Sequence, residues 1–301
     1  MSFAVKVLVG VNEYDINDGT IYRVEQHSGL DKPPVRTISE RAPQQHGESY
    51  IDYRLDPRIF QLVLGIHATS HSQLETRKGT LSDTYLASAN NPLKVKFTTE
   101  GGNVRQIECE CIGCDMPSMD QTSYCYQKAG LTFKAENPLF YNPTGSTHNF
   151  GLGGLAADAM QVPLEIPWNV GQSVLNSNLV VTYAGSFLAL PIIRITGPIT
   201  SAKIVNNTTS ETLFFDGITI AHNDYYVIDC RFGYKTIKDL ALTNKIADLD
   251  ESTSDLATFH IAPGPKEAPG GDNSLTVTGT SVTGDTSVTI QYNEQFETLW
   301  G

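Results

Sequence analysis

This sequence predicts a mainly β chain built from antiparallel sandwiches, on three observations. The first is the stretch from Pro191 to Gly264, where alternating apolar residues are broken by turn signals at nearly regular intervals. Ile193 and Ile195 share one face, Leu213 and Phe215 another, and Tyr226, Ile228 and Cys230 a third, while Ile204 and Val205 close the strand between. Gly197-Pro198, Asn206-Asn207, Asp216-Gly217 and His222-Asn223-Asp224 separate these runs, all residues that accept or preset turn dihedrals. The second is Leu93–Ile112, two strand-like runs joined by Glu100-Gly101-Gly102-Asn103, a hairpin turn that needs positive φ. The third is the scarcity of helical spacing, which one segment alone carries convincingly.

The elements follow in order. Val5, Val7 and Val9 alternate as in a strand, Tyr14–Gly19 turns, and Thr20–Glu25 extends again. Pro33-Pro34 forces an extended backbone, and residues 41–47 read as an exposed loop. Ile59–Ala68 reads as a buried strand. Ser72-Gln73-Leu74-Glu75 fits a capping box that opens the helix, with Leu74, Leu81 and Tyr85 at helical spacing and Asn91-Pro92 ending it. Ala129–Ala135 is a further strand. Asn137-Pro138, Asn142-Pro143 and the glycine-rich residues 145–154 mark a domain boundary near residue 140, so the expected domains are 1–139 and 140–301. Met160–Trp168, Ser274–Thr278 and Ser287–Tyr292 are later strands, and 262–273 is a long loop.

Composition bounds the function. The chain has 301 residues, enough for two domains that each bury a core, and 40% hydrophobic with 18% charged residues marks it as globular. No apolar run reaches membrane-spanning length. Lys6 sits inside the first apolar stretch, a poor signal peptide, so export by the general route is not expected. Five cysteines, an odd count, fit free thiols better than a disulfide framework. The net charge is −12, with 16 acids against 7 bases in residues 140–301. Such a chain repels phosphate backbones, so stable nucleic-acid binding is not expected, although DNA would slide past it without sticking.

Four sets of side chains are candidates for chemistry. Cys109, Cys111, Cys114 and Cys125 lie within 17 residues and could surround a zinc ion, but Cys125 stands outside any matched pair, and small buried core thiols are the plainer reading. His67, His71 and Glu75 are four apart, though His67 belongs to the preceding strand. Asp248, Asp250, Glu251 and Asp255 could hold calcium but lack the loop glycine, and Asp224 and Asp229 lack a convergent geometry for glycoside hydrolysis. Trp168, Tyr225 and Tyr234 could stack a sugar, with Tyr226 on the core face. No strained Gly-x-Ser-x-Gly elbow or phosphate loop occurs. No cofactor and no catalytic residue is expected.

The order of features resembles the siphophage distal tail proteins. PIIRITGPI, IVNNTTSETL, DYYVID with FGYKTI, and SDLATFHIAPG carry the likeness in the C-terminal half. GLDKPPVRTISERAPQQHGESYIDYRLDPRIFQL and the helix followed by LKVKFTTEGGNVRQIECECIG carry it in the N-terminal part. The resemblance implies a non-enzymatic structural virion protein of the tail, assembled in the host cytoplasm. Its N-terminal β-sandwich, with one helix and a hairpin, would close into a homo-hexameric ring between tail tube protein and tail-tip hub protein. Its C-terminal jelly-roll, galectin-like or carbohydrate-binding-module-like, would project outwards, in many phages supporting a receptor-binding protein. The Ser274–Gly284 stretch and the cysteine cluster depart from that pattern. A ring needs edges that pair with neighbours, and Leu93–Ile112 with the preceding helix is the expected contact. The competing expectation is a carbohydrate-binding module that recognises a host cell-surface glycan.

Overall fold

Alternation in the first nine residues becomes a strand whose Val5 and Val7 are fully buried while Lys6 lies opposite. The computed structural model describes residues 3–86, 92–116, 125–151, 173–264 and 267–300. They fall into two units, Met1–Pro143 with Phe296–Gly301, and Thr144–Gln295. The last six residues thus return to the first unit instead of ending the second, a correction to the expected 140–301 domain. Phe296 and Leu299 are buried there, and Leu299 donates its amide to Leu30 O at 3.2 Å.

The first unit contains β1 (Ala4–Val9), β2 (Asn12–Asp15), β3 (Tyr22–Ser28), β4 (Val35–Glu40), β5 (Ser49–Leu55), β6 (Arg58–His67), helix α1 (His71–Thr80), β7 (Leu93–Thr98), β8 (Val104–Asp115), β9 (Tyr126–Ala135) and β10 (Phe140–Tyr141). Its main path runs β2-β1-β7-β8-β9-β6-β3, all antiparallel. β8 does two jobs: Val104–Cys109 pairs with β7, and after a bulge Cys114 and Asp115 continue the pairing with β9. A bulge bends its strand, and here it carries the chain from one layer to the next. The layers meet through Phe60, which stacks on Phe133 at 5.0 Å and meets Phe97 edge-on at 6.2 Å. Each fully buried ring contributes about 2–3 kcal/mol of apolar burial.

Helix α1 starts one turn-step earlier than the sequence suggests. Ser70, not Ser72, is the N-cap and accepts from Gln73 N at 3.3 Å, while Gln73 Oε1 accepts from Thr69 N at 2.8 Å. The box is therefore Ser-x-x-Gln rather than Ser-x-x-Glu, which leaves Glu75 free to pair with His71 at 3.4 Å.

The second unit holds β11 (Ser146–Gly151), β12 (Val174–Thr182), β13 (Ile192–Thr196), β14 (Ile199–Asn206), β15 (Glu211–Phe214), β16 (Thr219–Ile220), β17 (Tyr225–Asp229), β18 (Thr236–Lys238), β19 (Asp272–Thr280) and β20 (Ser287–Tyr292). Two five-stranded sheets result, β11-β20-β13-β17-β18 and β12-β19-β14-β15 with β16 beside β14. Their inner faces share one core that includes Ile193, Ile195, Ile204, Leu213, Phe215, Tyr226, Ile228 and Cys230. β21 (Gln295–Phe296) pairs with β10. The expected strand at Met160–Trp168 lies outside the described residues.

Candidate assembly surfaces

The expected contact hairpin does not offer an edge. β7 has a strand on each side, β1 and β8, and β8 is paired with β7 along Val104–Cys109, with β10 at Gln106 and with β9 from Glu110 onwards, so the hairpin is built into the sheet. What remains open there is the exposed turn at Glu100–Asn103, where Gly102 takes φ +80°. Helix α1 is more available, since only Leu74 on it is buried.

A different element has the open edges. β4 and β5 form a two-stranded sheet of their own, six and seven residues long, or about 20 Å. The register runs from Val35↔Leu55 to Glu40↔Ser49 with a bulge between Ile38 and Ser39. Its base is tied by Asp56 N donating to Pro34 O at 2.9 Å and by Arg36 against Asp56 at 3.2 Å. Val35, Tyr50 and Ile51 are each more than half exposed. An isolated hairpin is marginally stable in water, and an arm with apolar residues in solvent and no third strand beside it among the described residues is built to meet another surface. Sequence reasoning passed over it because both faces lie in solvent, so no alternation marks it. The usable signal was the β-rich Tyr50-Ile51-Asp52-Tyr53 beyond a turn.

The two ends of the main sheet are guarded by contrast. On edge strand β2, Glu13 grips Lys6 at 3.1 Å and Lys96 at 2.9 Å, which holds its carboxyl pKa below the ordinary range. Edge strand β3 is bulged between Val24 and Gln26, and its Glu25 pairs with Lys128 at 3.0 Å. Charges and bulges of this kind discourage strand addition.

The sequence-level chemical candidates are dispersed. Cys109 is buried opposite Leu93, Cys111 faces Phe133, and Cys114 is exposed opposite Leu131. Cys125 precedes β9 at the His67 end, five residues along from Gly130, or about 17 Å of strand from the level of Asp115. The four-thiolate set does not assemble, and no group of three or more metal-ligating side chains comes together among the described residues. His67 stacks on Tyr126 at 4.9 Å and is separate from the His71–Glu75 pair. The acidic loop serves itself: Asp250 accepts from Ser252 and Thr253, Asp248 from Tyr226 Oη at 2.6 Å, and Asp255 from Thr212 N at 3.0 Å. Asp229 binds Arg231 through both oxygens, and Asp224 accepts from Tyr225 N.

The sugar platform fares no better. Trp168 lies outside the described residues. Tyr225 carries Arg194 on its ring at 3.9 Å, and Tyr234 carries Arg231 at 4.5 Å. Tyr225 opens β17, whereas Tyr234 lies beyond its far end on the loop to β18.

Along nearly the whole chain, the fold is similar to that of a solved structure. The Dit protein gp 19.1 of phage SPP1, described as a paradigm of the hub adsorption apparatus in phages infecting Gram-positive hosts, superposes with a TM-score of 0.64 at 15% identity, covering 98% of this chain and all of that one. The chain has the Dit fold. A protein of the phage P2 baseplate in its calcium-activated conformation also aligns along its full length, at 12% identity and a TM-score of 0.46. No family model and no curated protein matches the sequence. At 15% identity the likeness is one of fold.

Proposed function

We propose that this chain is a structural, non-catalytic component of a phage tail tip, a ring-forming adaptor between tail tube and hub. The observation that carries this reading is the end-to-end correspondence with the SPP1 Dit protein, over 98% of this chain. Two features support it. Asp224, Asp229, Asp248, Asp250 and Asp255 are held by internal hydrogen bonds, and the β4–β5 arm has no third strand beside it among the described residues and carries exposed apolar side chains. A heterologous contact closes into a ring when its rotation divides a full turn, and six copies is the closure proposed here. The acidic balance of −12 suits a protein past which DNA moves without binding.

Light scattering and negative-stain imaging of the purified chain test this. The expected result is a particle with a central hole and six times the 32.9 kDa chain mass. The variant V35S/Y50S/I51S should fall to single chains with an unchanged melting temperature, because these side chains are exposed in the isolated subunit. A single-chain mass for the unmodified protein at tens of micromolar, without any ring in the images, would reject the proposal.

A further inference from the structure

Cys111-Ile112-Gly113-Cys114 sits where β8 passes from one layer of the first unit to the next. In a regular strand, residues three apart point to opposite faces and stand about 10 Å from each other. β8 is not regular there. Its register with β9 runs Cys111↔Phe133, Gly113↔Thr132 and Cys114↔Leu131, so three steps of β8 lie against two steps of β9. The extra residue reverses the alternation. Phe133 and Leu131 are both buried on one face of β9, and residues opposite each other in an antiparallel pair share a face. Cys111 and Cys114 therefore face the same way, and the bulged Ile112 is left 54% exposed.

Their separation follows from the partner strand. Two residues of β9 span about 6.6 Å, and cysteines joined as a disulfide have Cα atoms about 4.4–6.8 Å apart. Access is graded. Cys114 is exposed, whereas Cys111 is half-buried on the margin of the core, its Sγ 3.5 Å from Gly113 O. Burial pushes both thiols up, and Cys111 with Asp115 pushes Cys114 further. A Cys-x-x-Cys pair with lowered pKa exchanges quickly, as a catalyst must, so the pair here is a slow, stoichiometric one. Cys109 on the same strand is buried, and Cys125 lies at the far end of β9.

From the bulge that turns these two thiols onto one face, we propose that Cys111 and Cys114 form a redox-closed pair, joined as a disulfide by a small-molecule disulfide of the glutathione class. The Cys114 thiolate attacks one sulfur of oxidised glutathione and expels the other as a thiolate. The Cys111 thiolate then attacks Cys114 Sγ and expels the second glutathione. The two cysteine protons end on the two departing thiolates, and the two electrons that the cysteines lose are gained by the glutathione disulfide. Thiols persist in a reducing compartment and disulfides in an oxidising one, so a chain carried from the first to the second closes the pair. Closure pins the bulge at which β8 changes layers. The chemistry is the same in a single chain and in a ring.

The test uses the full chain carrying C125S, which removes the other exposed thiol. It is equilibrated with excess oxidised glutathione at about pH 8.5, near the ordinary thiol pKa. Free thiols are then blocked with iodoacetamide, disulfides are reduced, and the thiols released are labelled with N-ethylmaleimide. Before reduction the intact chain should be lighter by two hydrogens and carry no glutathione. After reduction the maleimide should sit on Cys111 and Cys114 alone. Adding C111S should leave glutathione on Cys114. Adding C114S instead should slow uptake at half-buried Cys111 at least about ten-fold relative to Cys114 in C111S. Glutathione retained on Cys114 while Cys111 stays free, dimers linked through Cys114, maleimide on Cys109, or both thiols still open to iodoacetamide would each overturn the inference.

Discussion

Replacing Arg58 with methionine should unlock the first unit at the point where three distant stretches of chain converge. Arg58 is 1% exposed, and its guanidinium donates to four carbonyls: Pro138 O at 2.8 Å, Gly29 O at 2.9 Å, Asp31 O at 2.6 Å and Glu297 O at 2.6 Å. It also lies 4.6 Å from the centre of the Phe140 ring. Burial pulls its pKa down and Asp31 pulls it back up, to about 10, so it stays charged at neutral pH. Methionine fills a similar volume but donates nothing, leaving the carbonyls to find water or go unpaired. Charged hydrogen bonds are worth about 1.5–3 kcal/mol each and do not add, and breaking a buried charged network costs about 3–5 kcal/mol. The expected loss is about 3–5 kcal/mol, a fall of about 10 °C for a unit of this size. Trp300 reports it, because its ring packs on Phe3 at 5.8 Å and His27 at 6.1 Å beside the returning tail. With W168F as background, the chain's other tryptophan is removed and denaturation can be followed at Trp300 alone. R58K should recover part of the loss, since an ammonium keeps the charge but cannot span the fork. A loss below about 1 kcal/mol in R58M would show that the four bonds do not hold the tail, and the reasoning would fail.

Three further outcomes are expected. Burial acts to lower the His260 pKa, but Glu211 at 3.1 Å and Glu267 at 2.8 Å outweigh it and hold it at about 9. Because the folded pKa is raised, this contribution is complete below about pH 6.5 and lost as pH climbs through 9. Hydrogen exchange at β15 and β19 should therefore quicken across that window by the equivalent of about 1–2 kcal/mol after solvent screening, and H260Q should remove the dependence. Y183F should cost the second unit about 1–3 kcal/mol in urea, because the buried hydroxyl donates to Phe187 O at 2.6 Å and accepts from Gln295 N at 2.8 Å. An unchanged midpoint would mean that water replaces it. Iodoacetamide should label exposed Cys114 and Cys125 in the folded protein, and Cys109 and Cys230 only after unfolding, since burial pushes both of their thiols up, Cys230 to about 12. Equal rates for Cys109 and Cys114, read by mass spectrometry, would contradict the placement of β8.

Local pattern and tertiary partnership divided this protein between them. Period-two alternation is written by one buried face, so β1, β7, β13, β17 and β20 were legible from residues alone, as was the glycine turn between β7 and β8. Asn206 read as a turn residue, yet it is fully buried and donates to His260 O at 2.8 Å, a bond spanning 54 positions that no local pattern contains. Helix α1 was legible while its cap was not, because two serines two residues apart both satisfy the motif and only the fold selects Ser70. The β4–β5 arm was invisible for the opposite reason, having no buried face to impose a period.

Sequence determined the fold class, the sign of the charge and the absence of a nucleophile elbow, because these depend on residue types and near spacing. Tertiary structure alone decided that the tail returns to the first unit, that Cys125 is parted from the three cysteines of β8, and which strands lie at a sheet edge. Those outcomes depend on register between strands far apart in the chain, and register belongs to pairs of strands, never to one.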